Sequence, residues 1–337
     1  MPRLYLYSNS AGSFVLNQNL FVIDKVLFSD KEIISYSSGL EKAELIDPEK
    51  KLLKKHKKGQ FVFVGFKTDM ECDISNLGKV SSALKTSIKD VNSALKHANT
   101  IITINKISHS VNEDICIMQA VNHLSELEKI SNTMAKRLRE WYSYYLPEFS
   151  ESVRDHEKFV ELILKKPKNQ LMKELRLKKD QSMGGELKKN DIDPIMDLAK
   201  ELISVYKLKE KQKNYIENLM KEYCPNVTAV AGAVIGAKLL DQAGSLKKLS
   251  EFPSSTVQVL GAEEAFFRHM TTGSKPPKYG FIHEHPFIAQ TDKKSKGKIA
   301  RALADKISIA SKVDYFKGEF VGNKLRKQVE SKLGKSK

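Results

Sequence analysis

At 337 residues, with 41% hydrophobic content and a mean hydropathy of −0.40, the chain is long enough for two or three cores and has the composition of a soluble protein with a heavily charged surface. Its formal net charge of +16 points to an anionic partner, with a solvated lysine surface as the bland alternative. Placement separates the two: residues 1–115 hold 16 basic and 13 acidic side chains, residues 116–224 hold 21 and 18, and residues 225–337 hold 20 and 10. The excess lies in the last third. Cys72, Cys116 and Cys224 are too scattered for a disulfide framework or a zinc knuckle, which suits a reducing compartment. Residues 1–7 show no signal segment, and the most apolar helical run, 227–243, is broken by Lys238 and Asp241 and is shorter than the ~20 residues of a bilayer crossing. A soluble intracellular protein with no membrane partner is expected.

Residues 4–7, 13–16, 32–36 and 61–65 are β-rich and bounded by turn residues, so they predict short strands. Between them, Asp47 reads as an N-cap with Pro48 at the first helical position. A small α/β domain over 1–113 follows. The lysine run at 50–58 resembles a nucleic-acid patch, yet on a helix it reads first as the solvated face of an amphipathic segment.

From residue 114 the pattern lengthens. Ile117, Val121, Leu124, Leu127, Ile130, Met134, Leu138, Trp141 and Tyr145 step by three and four, as do Ile195, Leu198, Leu202, Val205, Gln212, Ile216, Leu219 and Tyr223. Asp191 and Asp193 read as caps of the second run, with Pro194 in its first turn. The two runs predict a long antiparallel coiled-coil hairpin over 114–224, with 146–190 as a helical cap at its far end. Such a seam is more than one partner helix covers. A homodimer through Leu124, Leu127, Met134, Leu138, Leu202 and Leu219 is therefore expected.

Residues 225–333 read as an all-α domain, followed by a basic tail at 334–337. Residues 227–243 predict a Gly/Ala-rich helix closed by Gly244-Ser245, and residues 255–273 a helix with an exposed N-terminus that Gly273 ends. An irregular loop with one extended piece follows. Residues 297–309 predict a basic amphipathic helix with Ile299, Leu303 and Ile307 inward. His283-Glu284-His285 is the one cluster of metal-ligand type, and it lacks a third ligand. Phosphate-loop, dinucleotide, nucleophile-elbow and metalloprotease motifs are all missing from the sequence, so no catalytic residue and no metal is assigned. The fold class is α+β.

Leu260-Gly-Ala-Glu-Glu-Ala-Phe-Phe-Arg268, with Ala243-Gly-Ser-Leu246 and Pro253-Ser-Ser-Thr-Val-Gln258 before it, resembles the Nop domain. Pro277-Lys-Tyr-Gly280, Lys296-Gly-Lys298 and Lys324-Leu-Arg326 extend the resemblance, as do Arg139-Glu-Trp-Tyr142, Ser182-Met-Gly-Gly-Glu186 and Ala231-Gly-Ala-Val-Ile-Gly-Ala237 upstream. The chain is similar to the archaeal Nop-family core protein of box C/D guide ribonucleoproteins.

That resemblance implies a non-catalytic scaffold for guided 2′-O-ribose methylation. Its N-terminal domain would dock fibrillarin, which binds S-adenosylmethionine, so the chain needs no cofactor of its own. Its Nop domain would hold kink-turn guide RNA together with the ribosomal-type protein already bound there. Thr256, Gln258, Gly261, Ala262, Glu263 and Arg268 would face that RNA and protein, with Gly261 and Ala262 offering backbone N–H groups. Lys296, Lys298 and Arg301 would meet phosphates. The family's Gly-Ala-Glu-Lys step ends here in Glu264, which cannot donate to a phosphate. Cytoplasmic placement is implied for an archaeal-type member, nucleolar for a eukaryotic one. The alternative is a spliceosome-type Nop protein that stabilises a small nuclear RNA without a methyltransferase.

Overall fold

Alternation of Leu4 and Leu6 with Tyr5 and Tyr7 gives the first strand two apolar faces, and both are covered. The computed structural model describes residues 3–57, 59–65, 67, 71–87, 91–178 and 181–334, so Lys58 and the basic tail past 334 lie outside the described residues. The chain divides into two compact units, 1–111 and 112–337.

The first unit runs β1 (Arg3–Asn9), β2 (Gly12–Leu16), β3 (Val22–Leu27), α1 (Asp30–Glu41), α2 (Asp47–Lys55), β4 (Gln60–Val64), β5 (Cys72–Asp73), α3 (Leu77–Ser87) and α4 (Val91–Ser110). Among the described residues the sheet order is β3-β2-β1-β4-β5, antiparallel across β1, β2 and β3 and parallel from β1 through β4 to β5. Leu52 of α2 packs with Leu4, Leu6, Val15 and Phe63, while Val80 and Leu84 of α3 pack with Phe14, Leu16 and Val64.

Two expectations fail here. Residues 32–36 are helix, because Glu32 accepts the Ser29 N–H (2.9 Å) in a capping box and Ile33, Tyr36 and Leu40 then share a face against α4. The α2 N-cap is Ile46, one residue earlier than expected, with its N–H given to the buried Glu49 (3.0 Å). β3 and β5 had no counterpart in the sequence reading.

The second unit is helical: α5 (Glu113–Ser143), α6 (Pro147–Ser152), α7 (His156–Lys165), α8 (Lys168–Glu174), α9 (Lys189–Tyr223), α10 (Pro225–Ala231), α11 (Ala233–Ala243), α12 (Leu246–Glu251), α13 (Ser254–Val259), α14 (Glu263–Thr272), a 3-10 turn (Phe281–Glu284), α15 (Pro286–Ala289), α16 (Lys296–Tyr315) and α17 (Gly322–Gly334). Helices α5 and α9 pack antiparallel. Ile117, Val121 and Leu124 meet Ile216 and Met220 at one end, and Ala135, Leu138 and Tyr142 meet Ile195, Ala199, Leu202 and Tyr206 at the other.

The buried seam departs from the expected one halfway along α5. It continues through Ser131 and Ala135, where small residues admit α9 closely, and leaves Ile130 and Trp141 exposed. Helix α9 begins at Lys189, so Pro194 sits inside it and Asp191 and Asp193 are helical rather than caps. Phe149, Phe159, Val160, Ile163 and Leu171 close the far end as a small helical cap. Arg139 fastens that cap. Its guanidinium donates to Ser150 O and His156 Nδ1 (2.7 Å each) and lies 4.5 Å from the Phe159 ring.

At the near end one apolar cluster continues from Ile117 and Ile216 through Val227, Leu239, Val257, Leu303 and Val329, so packing is unbroken across residues 224 and 225. The single helix expected at 227–243 is two, divided at Gly232 (φ 82°). Asp314 of α16 ties the first of them down, accepting from Asn226 N (3.1 Å), Asn226 Nδ2 (2.7 Å) and Val227 N (2.8 Å). Among the described residues, no helix is long and apolar enough to cross a membrane.

Candidate functional site

The helix expected over 255–273 is also two helices. Gly261 turns the chain at φ 87°, and a Cβ there would stand 2.5 Å from the Phe281 ring. L-residues rarely adopt that conformation, so α13 ends and α14 starts anew. The turn is latched on both sides. Gly280 N donates to Gln258 O and Phe281 N to Leu260 O (2.9 Å each), while Gln258 Nε2 donates to Lys278 O (2.7 Å). Gly261 N donates to Glu263 Oε1 (2.9 Å), and Ala262 N to Val259 O (3.0 Å).

These bonds engage, within the chain, groups of four residues expected to face RNA and its bound protein. The N–H groups of Gly261 and Ala262, named as phosphate donors, are already engaged within the chain. The carboxylate of Glu263 and the amide of Gln258 shape the turn. Arg268 and Glu264 are exposed, and among the described residues Arg268 forms no ion pair. Thr256 is half-buried beside the turn.

Helix α14 buries none of its residues. Phe266, Phe267 and Met270 are 43%, 67% and 72% exposed, and with Thr256, Val259, Leu260, Ala262 and Glu263 they border an apolar groove of about 290 Å³. On the other side of the same turn, Gly261, Glu264, Arg268, Tyr279 and Glu284 line a polar hollow of about 590 Å³. Glu284 is held there by Lys238 (2.7 Å). Sequence reasoning placed Phe266, Phe267 and Met270 on one helix but did not anticipate that all three stay outside.

Lys296, Lys298 and Arg301 occupy the first turns of α16, which packs on α13 through Ile299 and Leu303. Lys298 and Arg301 are exposed and Lys296 is half-buried. The three cations thus share the module with α14 but do not line either hollow beside it. Lys306, farther along α16, pairs with Asp305 (3.1 Å).

The histidine pair does not form an extended ligand face. His283 stacks on Tyr279 (5.0 Å), whereas the buried His285 accepts the Phe287 N–H (3.2 Å) as the cap of α15. Burial, with the Arg326 cation adding to it, pushes His285 down to about 4, against a hydrogen bond to the Val230 backbone.

Leu124, Leu127, Leu138 and Leu202, named for dimerisation, are all below 7% exposed within their own unit, and Met134 and Leu219 are partly buried there. Each long helix spends that seam on the other. Among the described residues, the large apolar side chains left outside on the pair are Ile130 (49%), Trp141 (38%), Leu208 (43%) and Tyr215 (47%).

An unburied apolar helix, fixed by a latched turn and sharing its module with a cation-bearing helix, defines a helical binding module. Residues 123–335 match the Nop family model, described as "snoRNA binding domain, fibrillarin". The chain belongs to the Nop family. It is 40% identical over 240 residues to a NOP5 family protein of Methanocaldococcus jannaschii, covering 67% of this chain and 58% of that one. It is 37% identical over 251 residues to nucleolar protein 56 of Schizosaccharomyces pombe, covering 68% and 50%, and 30% identical over 352 residues to nucleolar protein 58 of Lodderomyces elongisporus, covering 97% and 67%. The chain thus spans about half to two thirds of the length of these relatives. A structure described as the crystal structure of a fibrillarin/Nop5p complex aligns over 98% of this chain and 100% of its own at 22% identity and a TM-score of 0.44, too loose a likeness to carry an argument.

Proposed function

We propose that this chain is a non-catalytic scaffold of a box C/D guide ribonucleoprotein. Its Nop domain holds kink-turn guide RNA and the ribosomal-type protein bound to it, and its 1–111 unit docks fibrillarin. Fibrillarin, carrying S-adenosylmethionine, then methylates the ribose 2′-OH that the guide selects. The observation that carries this reading is α14. Its outward Phe266, Phe267 and Met270 suit a protein surface, while Arg268 on the same helix and Lys298 and Arg301 on α16 suit phosphates, which a composite RNA-protein target presents together. Family membership and similarity to nucleolar proteins 56 and 58 support it, and those relatives support nucleolar placement in a eukaryotic cell, while cytoplasmic placement in an archaeal cell is part of the proposal itself.

Reconstitution tests it. The full chain is expected to bind kink-turn RNA tightly only with the ribosomal-type protein present, to retain fibrillarin, and to support guided methylation that stops when fibrillarin is withheld. Equal RNA affinity with and without the ribosomal-type protein would overturn the composite surface. Capture of RNA without retention of fibrillarin would point to the spliceosome-type alternative. Self-association belongs to the same proposal, now through the exposed Ile130, Leu208 and Tyr215. Sedimentation of the full chain is expected to show a dimer that Ile130→Asp with Leu208→Asp dissociates; a wild-type monomer at micromolar concentration would remove it.

A further inference from the structure

The first unit carries a basic cavity that the scaffold reading leaves unused. Its volume is about 720 Å³, within the range of about 300–1,000 Å³ common for ligand pockets. Three separate segments wall it: Arg3 and Leu4 at the start of β1, Asn17, Gln18 and Asn19 in the turn before β3, and Lys54, Lys55, His56 and Lys57 at the end of α2. Ile23 and Gly59 complete the lining, which contains four lysine or arginine side chains, the His56 imidazole, no carboxylate, and no phenylalanine, tyrosine or tryptophan.

A solvated lysine face accounts for part of this, because cations are favoured in the last turn of a helix. It does not account for the convergence. Lys50, one turn back, is matched by Asp47 (3.2 Å), whereas the cavity brings Arg3 from a different element to join Lys54 and Lys57. Arg3 meets Glu71 only at 3.6 Å with both side chains about half exposed, and Lys55 shares Asp24 (2.7 Å) with His56 (3.0 Å). Among the described residues, Lys54 and Lys57 have no ion-pair partner.

The polar wall is a built one. Asn17 Oδ1 accepts from Asn19 N (3.0 Å) and Phe21 N (2.9 Å), which fixes the turn and leaves the amide NH2 as the group still able to donate. Gly59 lets the chain leave α2 tight against Leu4: a Cβ there would lie 2.5 Å from the Leu4 Cδ1. His56 and Lys57 are thereby seated over β1. Four cations converging with amide donors from three segments, and no phenylalanine, tyrosine or tryptophan among them for base stacking, match a sequence-neutral run of phosphates.

We propose that this cavity, walled by Arg3, Lys54, Lys55, Lys57 and the Asn17–Asn19 turn, binds the phosphate backbone of a single RNA strand. That the ligand is a run of phosphates rests on the cavity alone; that the polymer is RNA rests on the scaffold reading. The cavity is thus a second, sequence-independent hold on RNA in the unit proposed to dock the methyltransferase.

The test compares the full chain with its Lys54→Ala/Lys57→Ala variant, whose two side chains are exposed and whose melting temperature should match wild type. Binding of a short labelled oligouridine is expected to weaken about tenfold in the variant, with the slope of log affinity against log salt reduced by about 1.4, the loss of two single-strand phosphate contacts. Assembly on kink-turn RNA with its ribosomal-type protein should be unchanged. Failure of the scaffold reading therefore shows in the wild-type chain, and failure of the cavity in the comparison of the two chains. Equal oligouridine affinity and slope overturn the cavity. Tripolyphosphate binding that the double variant abolishes, without any oligouridine binding, overturns RNA as the source of the phosphates.

Discussion

Helices α10 and α14 belong to one module and spend their apolar residues in opposite ways. Helix α10 buries Val227, Val230 and Ala231 and gives its first N–H groups to Asp314; α14 buries nothing and holds its two phenylalanines and a methionine in solvent. Both carry large or branched apolar residues, so such residues alone do not mark a core. The difference is that α10 is enclosed by α16 and α17, while α14 hangs from the rest at the Gly261 turn. On the proposed function, stability and recognition therefore sit on separate helices. Substitutions in one should leave the other property intact.

The largest effect should come from the enclosed side. Asp314→Ala strands three donors in the interior and is expected to cost about 3–5 kcal/mol in chemical denaturation, with RNA assembly by the remaining folded protein unchanged. A cost under about 1 kcal/mol would break the contrast, since α10 would then not depend on its anchor. Burial raises the Asp314 carboxyl, so its own titration contributes stability that is fully present below the ordinary aspartate value and is lost as pH rises through the raised one.

The His285 imidazole runs the other way. Its folded value near 4 lies below the ordinary 6.5, so its contribution is present above 6.5 and is lost as pH falls toward 4. Up to about 3 kcal/mol should disappear across that window, a slope that His285→Gln flattens. A denaturation series from pH 7 to pH 4 reads it directly.

On the exposed side, Arg268→Ala and Phe267→Ala are each expected to weaken assembly with RNA and the ribosomal-type protein by about 1–3 kcal/mol while shifting stability by less than about 0.5 kcal/mol. Loss of stability instead would make α14 a structural helix. The smallest effect is Glu264→Lys. It should tighten RNA binding by about 0.5–1 kcal/mol and steepen the salt dependence by about one contact. Weaker binding would place a basic partner group opposite Glu264.

How much of this the sequence shows varies by element. β1, β2 and β4 are legible from two-residue alternation, α5 and α9 from long steps of three and four, and the Gly244-Ser245 boundary from cap chemistry, confirmed by Ser245 accepting the Lys248 N–H (3.2 Å). β3 is hidden because its polarity does not follow its faces: Ile23 and Leu27 point outward with Lys25, while Asp24 lies on the half-buried face with Val22 and Val26. The α1 segment is misread because Ile33, Ile34 and Tyr36 are strand formers, and the Ser29-to-Glu32 capping box carries the correcting signal. Around Gly261, the helical character of the chain is legible and the wiring of the turn is not. The sequence pattern does not say that Glu263 turns back onto Gly261, that α14 stays uncovered, or that residues 278–281 arrive from beyond the helix to latch Gln258 and Leu260.

The Glu263 clamp bears on time as well as on shape. Because this carboxylate already fixes the Gly261 turn in the free chain, no segment there has to reorganise when a partner arrives, and the encounter itself sets the pace. Association at α14 should then run at a salt-sensitive, electrostatically steered rate, while differences among partners are expressed in how long each stays bound.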